Sequence, residues 1–410
     1  MTGSEWLVIL AVILAALAVL PGTLGILMLT NRIAVSEPGA RYIYGKSFWV
    51  LIASAVLLAA GIWRAFAEGG LESWIFRLSV LAYLGILVFG FFMHTKLMFR
   101  PVRKPKFLSA EEAVAKFGPD EEVVGVLDPD GTPFAFIARL ARRPHIVYQT
   151  AGAHPFIMTH CILAHSSMAY ALEDRFREPR ISITAALANN MVFYDKSSQC
   201  SVIQLHNRSL DGSMPLKTMP TIACSLGTWR RLYPQSKVWY RDIEWRDIFY
   251  LKLLARADVI DPTSPMVVYP LQHEKDTRRP LKEQVLGVEI DGAVRTYPLP
   301  VCRERRLIED ELGGTPLLIV SDAEGDYVQV FDRRVDGEAL HFTLDEAGEG
   351  LRDSGSGSLW TLTGACVEGA HKGRSLRPVP HYNKIFWYVW SDFHPGTEIY
   401  GEATDHASAA

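Results

Sequence analysis

The densest group of metal-ligand residue types lies in one ten-residue stretch near the middle of the chain. Cys161, His165 and Met168 have the spacing Cys-x3-His-x2-Met, and His160 precedes the cysteine. Thiolate, imidazole and thioether donors are typical of copper and zinc sites. We therefore predict a copper or zinc site formed by Cys161, His165, Met168 and His160, with His145 and His154 as candidates for a further ligand.

Two other interpretations of these residues stay open. Cys161 and Met168 are also typical of a hydrophobic core. Alternatively, Cys161 acts as a thiolate whose pKa is lowered by a neighbouring histidine, which would make the protein a thiol-dependent enzyme or redox component. The sequence contains no Gly-x-Ser-x-Gly, His-Glu-x-x-His or dinucleotide-binding motif. The absence of a standard catalytic motif favours a role other than catalysis and leaves enzymatic activity undecided.

A polar stretch around a short apolar run offers a second candidate site. Asn190 precedes the run and Asp195 follows it, ahead of Ser197 and Ser198. Asn190 and Asp195 could line a ligand pocket beside Cys161, with Asp195 as an acid, base or anchor. Asn, Asp and Ser also close turns through hydrogen bonds to their own backbone, and this alternative is favoured.

Three apolar runs in the first hundred residues must position the rest of the chain at a membrane. They extend from about Trp6 to Leu29, Phe48 to Ala67 and Trp74 to Met98. About 20 apolar residues of helix cross a bilayer, so each run is long enough. The first loop has three basic residues and the segment after the third run has five, whereas the second connection has two. Because positive flanking charge is retained inside, this predicts a cell-membrane protein with its N-terminus outside and its soluble part in the cytoplasm.

The composition excludes several classes of protein. The chain has 410 residues and a net charge of −3. Its basic residues do not form the stripe that nucleic-acid binding needs. Its 5 cysteines are scattered, which argues against a disulfide-stapled fold. The expected partners are therefore the lipid bilayer and other membrane proteins.

The soluble part contains an internal repeat. Four local patterns recur in the same order at an offset of about 160 residues, which indicates two copies of one supersecondary unit. Short β-like runs such as Val123–Leu127 and Phe134–Ile137 make the module rich in strands. The matched patterns are Val124-Gly125-Val126 with Leu286-Gly287-Val288, Gly152–Pro155 with Gly313–Pro316, Asp195–Cys200 with Asp353–Ser358, and Trp229 and Tyr233-Pro234 with Trp390 and His394-Pro395.

The predicted fold class is α+β: a β-rich, tandemly duplicated module preceded by three transmembrane α-helices. Ser109 and Glu112 have the spacing of a capping box and predict a short helix in the linker before the module. The predicted divisions are a transmembrane region (1–100), a juxtamembrane linker with this helix (101–119), the first copy (120–240), a helical and turn-rich linker (241–282), the second copy (283–401) and a tail (402–410).

The motifs of the second copy resemble the prokaryotic domain-of-unknown-function family 3179. The resemblance implies a Cys-Pro-Leu-Cys tetrad at the end of a strand, where this chain has Cys161 followed by Ile162, Leu163 and Ala164, so the second sulfur is absent. Members of the family are often exported, which implies an extracytoplasmic alternative for the soluble part. The motifs are Tyr297-Pro298, Gly313–Pro316, Phe331-Asp332-Arg333, Asp353–Trp360, Gly373–Pro378 and His394-Pro395.

Together these features predict a membrane-anchored binding or scaffold protein with a metal or ligand site in the first copy. The second copy lacks the sulfur and imidazole ligands of the first, which indicates that one copy is structural. A thiol-dependent enzyme that uses Cys161 and a subunit of a larger membrane complex are the alternatives.

Overall fold

The computed structural model describes residues 1–24, 31–253 and 257–402. The last part of the first predicted apolar run and most of the predicted tail lie outside these ranges. The α-helices are α1 (Gly3–Leu24), α2 (Asn31–Val35), α3 (Glu37–Arg41), α4 (Ser47–Glu68), α5 (Trp74–Met93), α6 (Thr95–Met98), α7 (Ala110–Phe117), α8 (Ala138–Ala141), α9 (Leu226–Leu232), α10 (Trp245–Leu253), α11 (Ala257–Ile260), α12 (Leu299–Arg305) and α13 (Trp387–Phe393).

Strands begin after the last apolar helix and continue almost to the end of the chain. They are β1 (Lys106–Ser109), β2 (Glu122–Leu127), β3 (Pro133–Ile137), β4 (Ile146–Gln149), β5 (Phe156–Cys161), β6 (Ser166–Ala171), β7 (Ile181–Leu187), β8 (Asn190–Asp195), β9 (Cys200–Ile203), β10 (Arg208–Ser209), β11 (Thr218–Met219), β12 (Thr221–Ser225), β13 (Lys237–Tyr240), β14 (Gln284–Ile290), β15 (Ala293–Pro298), β16 (Leu307–Leu312), β17 (Thr315–Ser321), β18 (Val328–Asp332), β19 (Arg334–Val335), β20 (Glu338–Ala339), β21 (Phe342–Leu344), β22 (Gly350–Asp353), β23 (Leu359–Thr361), β24 (Cys366–Glu368), β25 (Arg377–Pro378), β26 (Tyr382–Phe386) and β27 (Glu398–Ile399).

These elements form two compact units, each made of two chain segments. The first unit comprises Met1–Pro101 with Leu172–Leu216, and the second comprises Val102–Ala171 with Lys217–Ala410. Helices and strands are mixed in several sheets, which confirms the predicted α+β class.

Three helical segments of the first unit are long and apolar enough to cross a membrane. They are Gly3–Thr23, Glu37–Glu68 and Trp74–Met93, with mean hydropathies of 2.5, 2.0 and 2.1. The three predicted apolar runs are thus confirmed as helices. The third ends earlier than predicted, because His94 adopts an extended conformation and its side chain caps α6.

A four-stranded sheet in the order β10-β9-β8-β7 also belongs to the first unit. Tyr44 packs in one cluster with Ala185 and Tyr194 of this sheet. Its hydroxyl donates to the carbonyl oxygen of Ile183 at 2.7 Å. Buried Tyr hydroxyl groups need such partners, and this one ties the π-helical turn Tyr42–Lys46 before α4 to the sheet.

Two sheets of the second unit have the same arrangement. Each centres on an antiparallel hairpin, β2–β3 or β14–β15, followed by a short helix. An antiparallel strand flanks the first hairpin strand, and a parallel strand flanks the second. The first of these sheets has the order β1-β13-β3-β2-β12, and the other has the order β26-β14-β15-β27.

A tryptophan lies against a glycine in both sheets. A side chain on Gly125 would overlap the ring of Trp229, and one on Gly287 would overlap the ring of Trp390. Both rings are 0% exposed. Only glycine lets the indole lie directly on the strand, so the close approach explains the residue type at both positions.

The remaining sheets of the second unit are β11-β6-β5-β4, β16-β17-β18-β25, β21-β22-β23-β24 and the pair β19-β20. The largest apolar cluster runs through both halves of this unit, from Val124 and Trp239 to Phe331 and Trp360. Ser109 and Glu112 form the predicted capping box at the start of α7.

Candidate functional site

The turn between β5 and β6 places His165 beside charged residues from distant parts of the second unit. β5 ends at Cys161 and β6 begins at Ser166, and these two residues are paired. His165, the last residue of the turn, has a φ of 50°. A left-handed conformation is unfavourable for a residue with a side chain, and such strain concentrates at functional sites.

Glu122, His165, Asp326 and Lys384 form what we call the charged cluster. His165 Nε2 lies 3.5 Å from Glu122 Oε2. Lys384 Nζ lies 3.9 Å from Glu122 Oε1 and 3.3 Å from Asp326 Oδ1. The four side chains are between 15% and 31% exposed, so the cluster is shielded but still reached by solvent.

A β-bulge presents Lys384 to this cluster. Val285 pairs with Ile385 and Gly287 pairs with Tyr382, so β26 has an extra residue at this point. Lys384 has a φ of 55°, and its carbonyl oxygen lies 3.1 Å from His165 Nδ1. Bulges often redirect a side chain next to a functional site, and here the bulge brings both the ammonium and the carbonyl group to the cluster.

Asp326 comes from the turn between β17 and β18. One of its oxygens accepts the backbone N–H of Ser225 at 2.7 Å, and Ser225 is the N-cap of α9. The other oxygen is 3.3 Å from Lys384 Nζ. Its carboxylate is thereby fixed in position, with one oxygen directed toward the ammonium group.

The charges of the cluster determine its proton affinities. Burial works to raise the pKa of Glu122, but the cations of His165 and Lys384 outweigh it and lower this pKa to about 2. Burial works to lower the pKa of His165, and the Glu122 carboxylate outweighs it, so the pKa is raised above its ordinary value of 6.5. For Asp326, Lys384 and the Ser225 N–H overcome burial and lower the pKa.

These shifts predict how the His165–Glu122 pair depends on pH. A histidine whose pKa is raised on folding stabilises the protein below its unfolded pKa and loses that contribution as pH rises through the folded value. Glu122 loses its contribution below about pH 4.5, its unfolded value, and down through about pH 2. We expect the difference in free energy of unfolding between the wild-type chain and His165→Gln to be largest from about pH 4.5 to 6.5 and to shrink above that range.

Denaturant unfolding of both proteins at a series of pH values checks this expectation. The comparison with His165→Gln is needed because His145, His160 and His381 are buried, and burial lowers the pKa of each. These three histidines make both proteins less stable as pH falls below 6.5. A difference that stayed constant up to pH 9 would contradict the assigned pairing.

The residues of the predicted copper or zinc site all lie around the β5–β6 hairpin, and three of them are almost fully buried. Cys161, Met168 and His160 are 1%, 1% and 3% exposed. His160 and Cys161 are neighbours on β5 and so point to opposite faces of the sheet. His160 Nδ1 is 2.9 Å from Ser167 Oγ. Burial lowers the pKa of His160 to about 3.

The other two candidate ligands have polar partners of their own. His145 Nδ1 is 2.8 Å from the carbonyl oxygen of His160, and His154 Nε2 is 3.1 Å from Asp130. Among the described residues, the group of three His, Cys, Asp or Glu side chains with ligand atoms within 4.8 Å of one another is Glu37, Cys200 and Asp211. This group belongs to the first unit and includes none of the predicted ligands. The site at Cys161 stays a prediction.

Asn190 and Asp195 lie at the two ends of β8 in the first unit, and both are 0% exposed. Asn190 donates to Gln204 at 3.0 Å. Asp195 accepts backbone N–H groups from Arg180, Ser197 and Ser198 at 2.7, 3.0 and 3.0 Å. These bonds are those of a closed turn, and the ligand pocket at these residues stays a prediction.

Sequence reasoning found His165 but missed Glu122, Asp326 and Lys384. Each missed residue lies in or beside a strand, where a single charged residue ordinarily faces solvent. A weak signal was available, because Asp326 lies 161 residues after His165, close to the offset of the repeat. The bulge at Lys384 has no recognisable signature in the sequence.

The family model described as "Protein of unknown function (DUF3179)" matches residues 100–397. This range covers most of the chain, and the protein therefore belongs to that family. It includes all four residues of the charged cluster. No curated protein and no solved structure matches the chain.

Proposed function

We propose that this chain is a membrane-anchored binding protein that holds a small polar ligand at the charged cluster. The observation that carries the proposal is the cluster itself: two cations and two carboxylates from four separate chain segments, partly exposed, with His165 and Lys384 both in left-handed conformations. Residues in such conformations persist only where the surrounding structure holds them in place.

The chemistry of the cluster suits a ligand with both donor and acceptor groups. Protonated His165 and Lys384 donate hydrogen bonds, while Glu122 and Asp326 accept them. A ligand with a carboxylate or phosphate would meet the two cations, and an amine would meet the carboxylates. The pKa of His165 is raised above its ordinary value by the Glu122 carboxylate, so the affinity for an anionic ligand is expected to fall as pH rises and His165 loses its proton.

A metal ion is a poorer candidate for the charged cluster itself. Lys384 Nζ lies between the carboxylates of Glu122 and Asp326, where its ammonium group already supplies the positive charge. A copper or zinc site at Cys161, His165, Met168 and His160 is the alternative ligand site. One equivalent of metal in the purified protein, lost in Cys161→Ser, would support it.

Two other roles are separate alternatives. A thiol-dependent enzyme would need access to Cys161, whose side chain is 1% exposed, so rapid alkylation of this residue in the native chain would favour that role. A scaffold or subunit of a larger membrane complex would retain protein partners when purified in mild detergent.

We also propose that the soluble part of the chain arose by duplication, with copies near 120–240 and 283–401. The proposal is supported by the two sheets of matching strand arrangement and by the Gly125–Trp229 and Gly287–Trp390 pairs. The hairpin turns provide a further match. The Phe386 N–H, before α13, donates to Ala164 in the β5–β6 turn. The Ser225 N–H, before α9, donates to Asp326 in the β17–β18 turn.

The duplication would place the charged cluster where the copies meet. Glu122 and His165 belong to the first copy, and Asp326 and Lys384 to the second. Since β12 pairs with β2 without a register shift, the bulge that presents Lys384 occurs in only one of the two matching strands. Divergence between copies would thus have produced one asymmetric site.

The soluble part is proposed to face the cytoplasm. The excess of basic residues in the first loop and after the third span supports this orientation, because positive flanking charge is retained inside. Protease digestion of a C-terminal tag in intact cells and in inverted vesicles distinguishes the two sides. Digestion in intact cells would place the soluble part outside.

Ligand-induced stabilisation tests the proposed site. Succinate, inorganic phosphate, ethanolamine and glycine present the relevant carboxylate, phosphate and amine groups, and a ligand that binds only the folded chain raises its unfolding temperature. At millimolar concentration we expect at least one of them to raise the unfolding temperature by about 3 °C or more. The shift should disappear in Lys384→Met and Glu122→Gln.

Arg377→Met is the matched control. Arg377 also pairs with a carboxylate of the second unit, Asp332, but its side chain is 72% exposed and lies outside the charged cluster. The control should keep the full shift. Equal shifts in wild type and Lys384→Met would contradict the site, and the absence of any shift with all four compounds would argue against this ligand class.

A further inference from the structure

The segment around the start of α10 exposes large apolar side chains. Ile243, Trp245 and Ile248 are 57%, 50% and 50% exposed. Among the described residues of the second unit, only Met266 and Val367 are large hydrophobic side chains of comparable exposure. Three of these five residues therefore fall within six positions of the sequence, and we call them the α10 apolar face.

The polar side of the same segment is buried instead. Asp247 is 3% exposed and its carboxylate accepts a hydrogen bond from Arg143 at 2.5 Å. Arg143 is itself 6% exposed. Arg241 donates to Asp247 at 2.8 Å. Helices of soluble proteins ordinarily bury their apolar side chains, so the exposure of Trp245 and Ile248 beside the buried Asp247 is unusual. The ion pairs of Asp247 hold the start of α10 in this orientation.

Covalent connectivity keeps this face near the bilayer. The third candidate span ends at Met93, and β1 begins about a dozen residues later at Lys106. Lys106 pairs with Tyr240, three residues before Ile243. A segment of that length reaches on the order of 40 Å even when fully extended. The membrane is therefore always present at a high effective concentration.

We propose that the α10 apolar face inserts into the interfacial region of the bilayer that holds the three spans. Tryptophan is enriched at this depth of a membrane, because its ring is apolar while its N–H group is polar. The guanidinium of Arg246 lies 4.6 Å from the ring of Trp245, and Lys252 is exposed one turn beyond Ile248. Long basic side chains of this kind extend toward headgroups while their neighbours insert.

A second copy of the chain or another protein fits this face less well. Three half-exposed side chains offer on the order of 300 Å² of apolar surface, whereas a stable protein interface buries about 800 Å² on each partner. Binding to the bilayer needs far less buried area, because the spans already anchor the chain there and little further translational entropy is lost.

Depth-dependent quenching in nanodiscs tests the proposal with the full chain. The native cysteines are all buried, so a cysteine introduced by Ile248→Cys can be labelled selectively with an environment-sensitive fluorophore. Nanodiscs that hold one chain each exclude a second copy. We expect brominated phosphatidylcholine to quench the label by about twofold relative to plain phosphatidylcholine.

Two further variants serve as controls for the quenching at position 248. Lys372→Cys, at an exposed polar position of the second unit, should show no quenching by brominated lipid. Adding Trp245→Glu to the Ile248→Cys chain should abolish the quenching at position 248, because a carboxylate is costly to insert. A label at position 248 as accessible to water as the label at position 372 would overturn the proposal, and so would quenching that required two chains per disc.

Discussion

Replacing Trp229 with alanine is expected to destabilise the second unit by about 3–5 kcal/mol, the usual cost of removing a large buried aromatic side chain. The ring is 0% exposed and lies directly against Gly125. Its indole N–H also donates to Ser236 Oγ at 2.7 Å, and Ser236 would lose this donor while keeping its own hydrogen bond to the carbonyl oxygen of Pro133. Denaturant unfolding of the detergent-solubilised chain measures the loss.

The exposed Trp245 provides a matched control. Trp245→Ala removes the same side chain where it is 50% exposed, so the expected loss in detergent is smaller, about 1–2 kcal/mol. Gly125→Ala should also destabilise the chain, because the added methyl group would overlap the Trp229 ring. If that overlap is the cause, Gly125→Ala should be nearly harmless in the Trp229→Ala background. Additive losses would contradict this explanation.

Asp247→Asn is expected to cost about 2–4 kcal/mol, because it takes the carboxylate away from two arginines and leaves the buried Arg143 with only the exposed Glu244 carboxylate, 2.6 Å away, as an anionic partner. The carboxylate joins Arg143 and Arg241, and the side chains of Asp247 and Arg143 are 5% and 6% exposed. The backbone N–H of Glu244 is a third donor to it, at 2.6 Å. Local loss of protection in α10, measured by hydrogen exchange, should accompany the loss of stability.

An exposed ion pair of the same unit provides the comparison. Asp336 and Arg374 lie 3.1 Å apart with both side chains 60% exposed, and Asp336→Asn should cost no more than about 1 kcal/mol. The double variant Arg143→Met with Asp247→Leu should recover much of the loss, because it removes both buried charges. If Asp247→Asn were as mild as Asp336→Asn, α10 would not be held by these pairs.

Elements set by local sequence could be predicted. The apolar runs became helices because lipid-length stretches with so few charges favour no other structure. Ser109 and Glu112 formed the predicted capping box, since its hydrogen bonds join residues three positions apart. The predicted strands Val123–Leu127 and Phe134–Ile137 agree with β2 and β3 to within one residue at each end. In each case, the residues that determine the element lie within it.

The charged cluster could not be predicted in this way. The contact between His165 and Lys384 joins residues 219 positions apart, and it depends on a bulge whose register is set by packing against β14. Glu122 begins a strand and is no different in sequence from a surface residue. The pattern Cys161, His165 and Met168 lies in the hairpin that carries His165, but alternation along β5 directs His160 and Cys161 to opposite faces.

The most direct test of the account is native mass spectrometry of the full chain released from detergent. This experiment detects directly whether the charged cluster holds a small polar ligand. We predict that the wild-type chain and Arg377→Met carry an additional small-molecule mass and that Lys384→Met does not. An additional mass that persists in Lys384→Met, or its absence from the wild-type chain saturated with each of the four test compounds, would contradict the account.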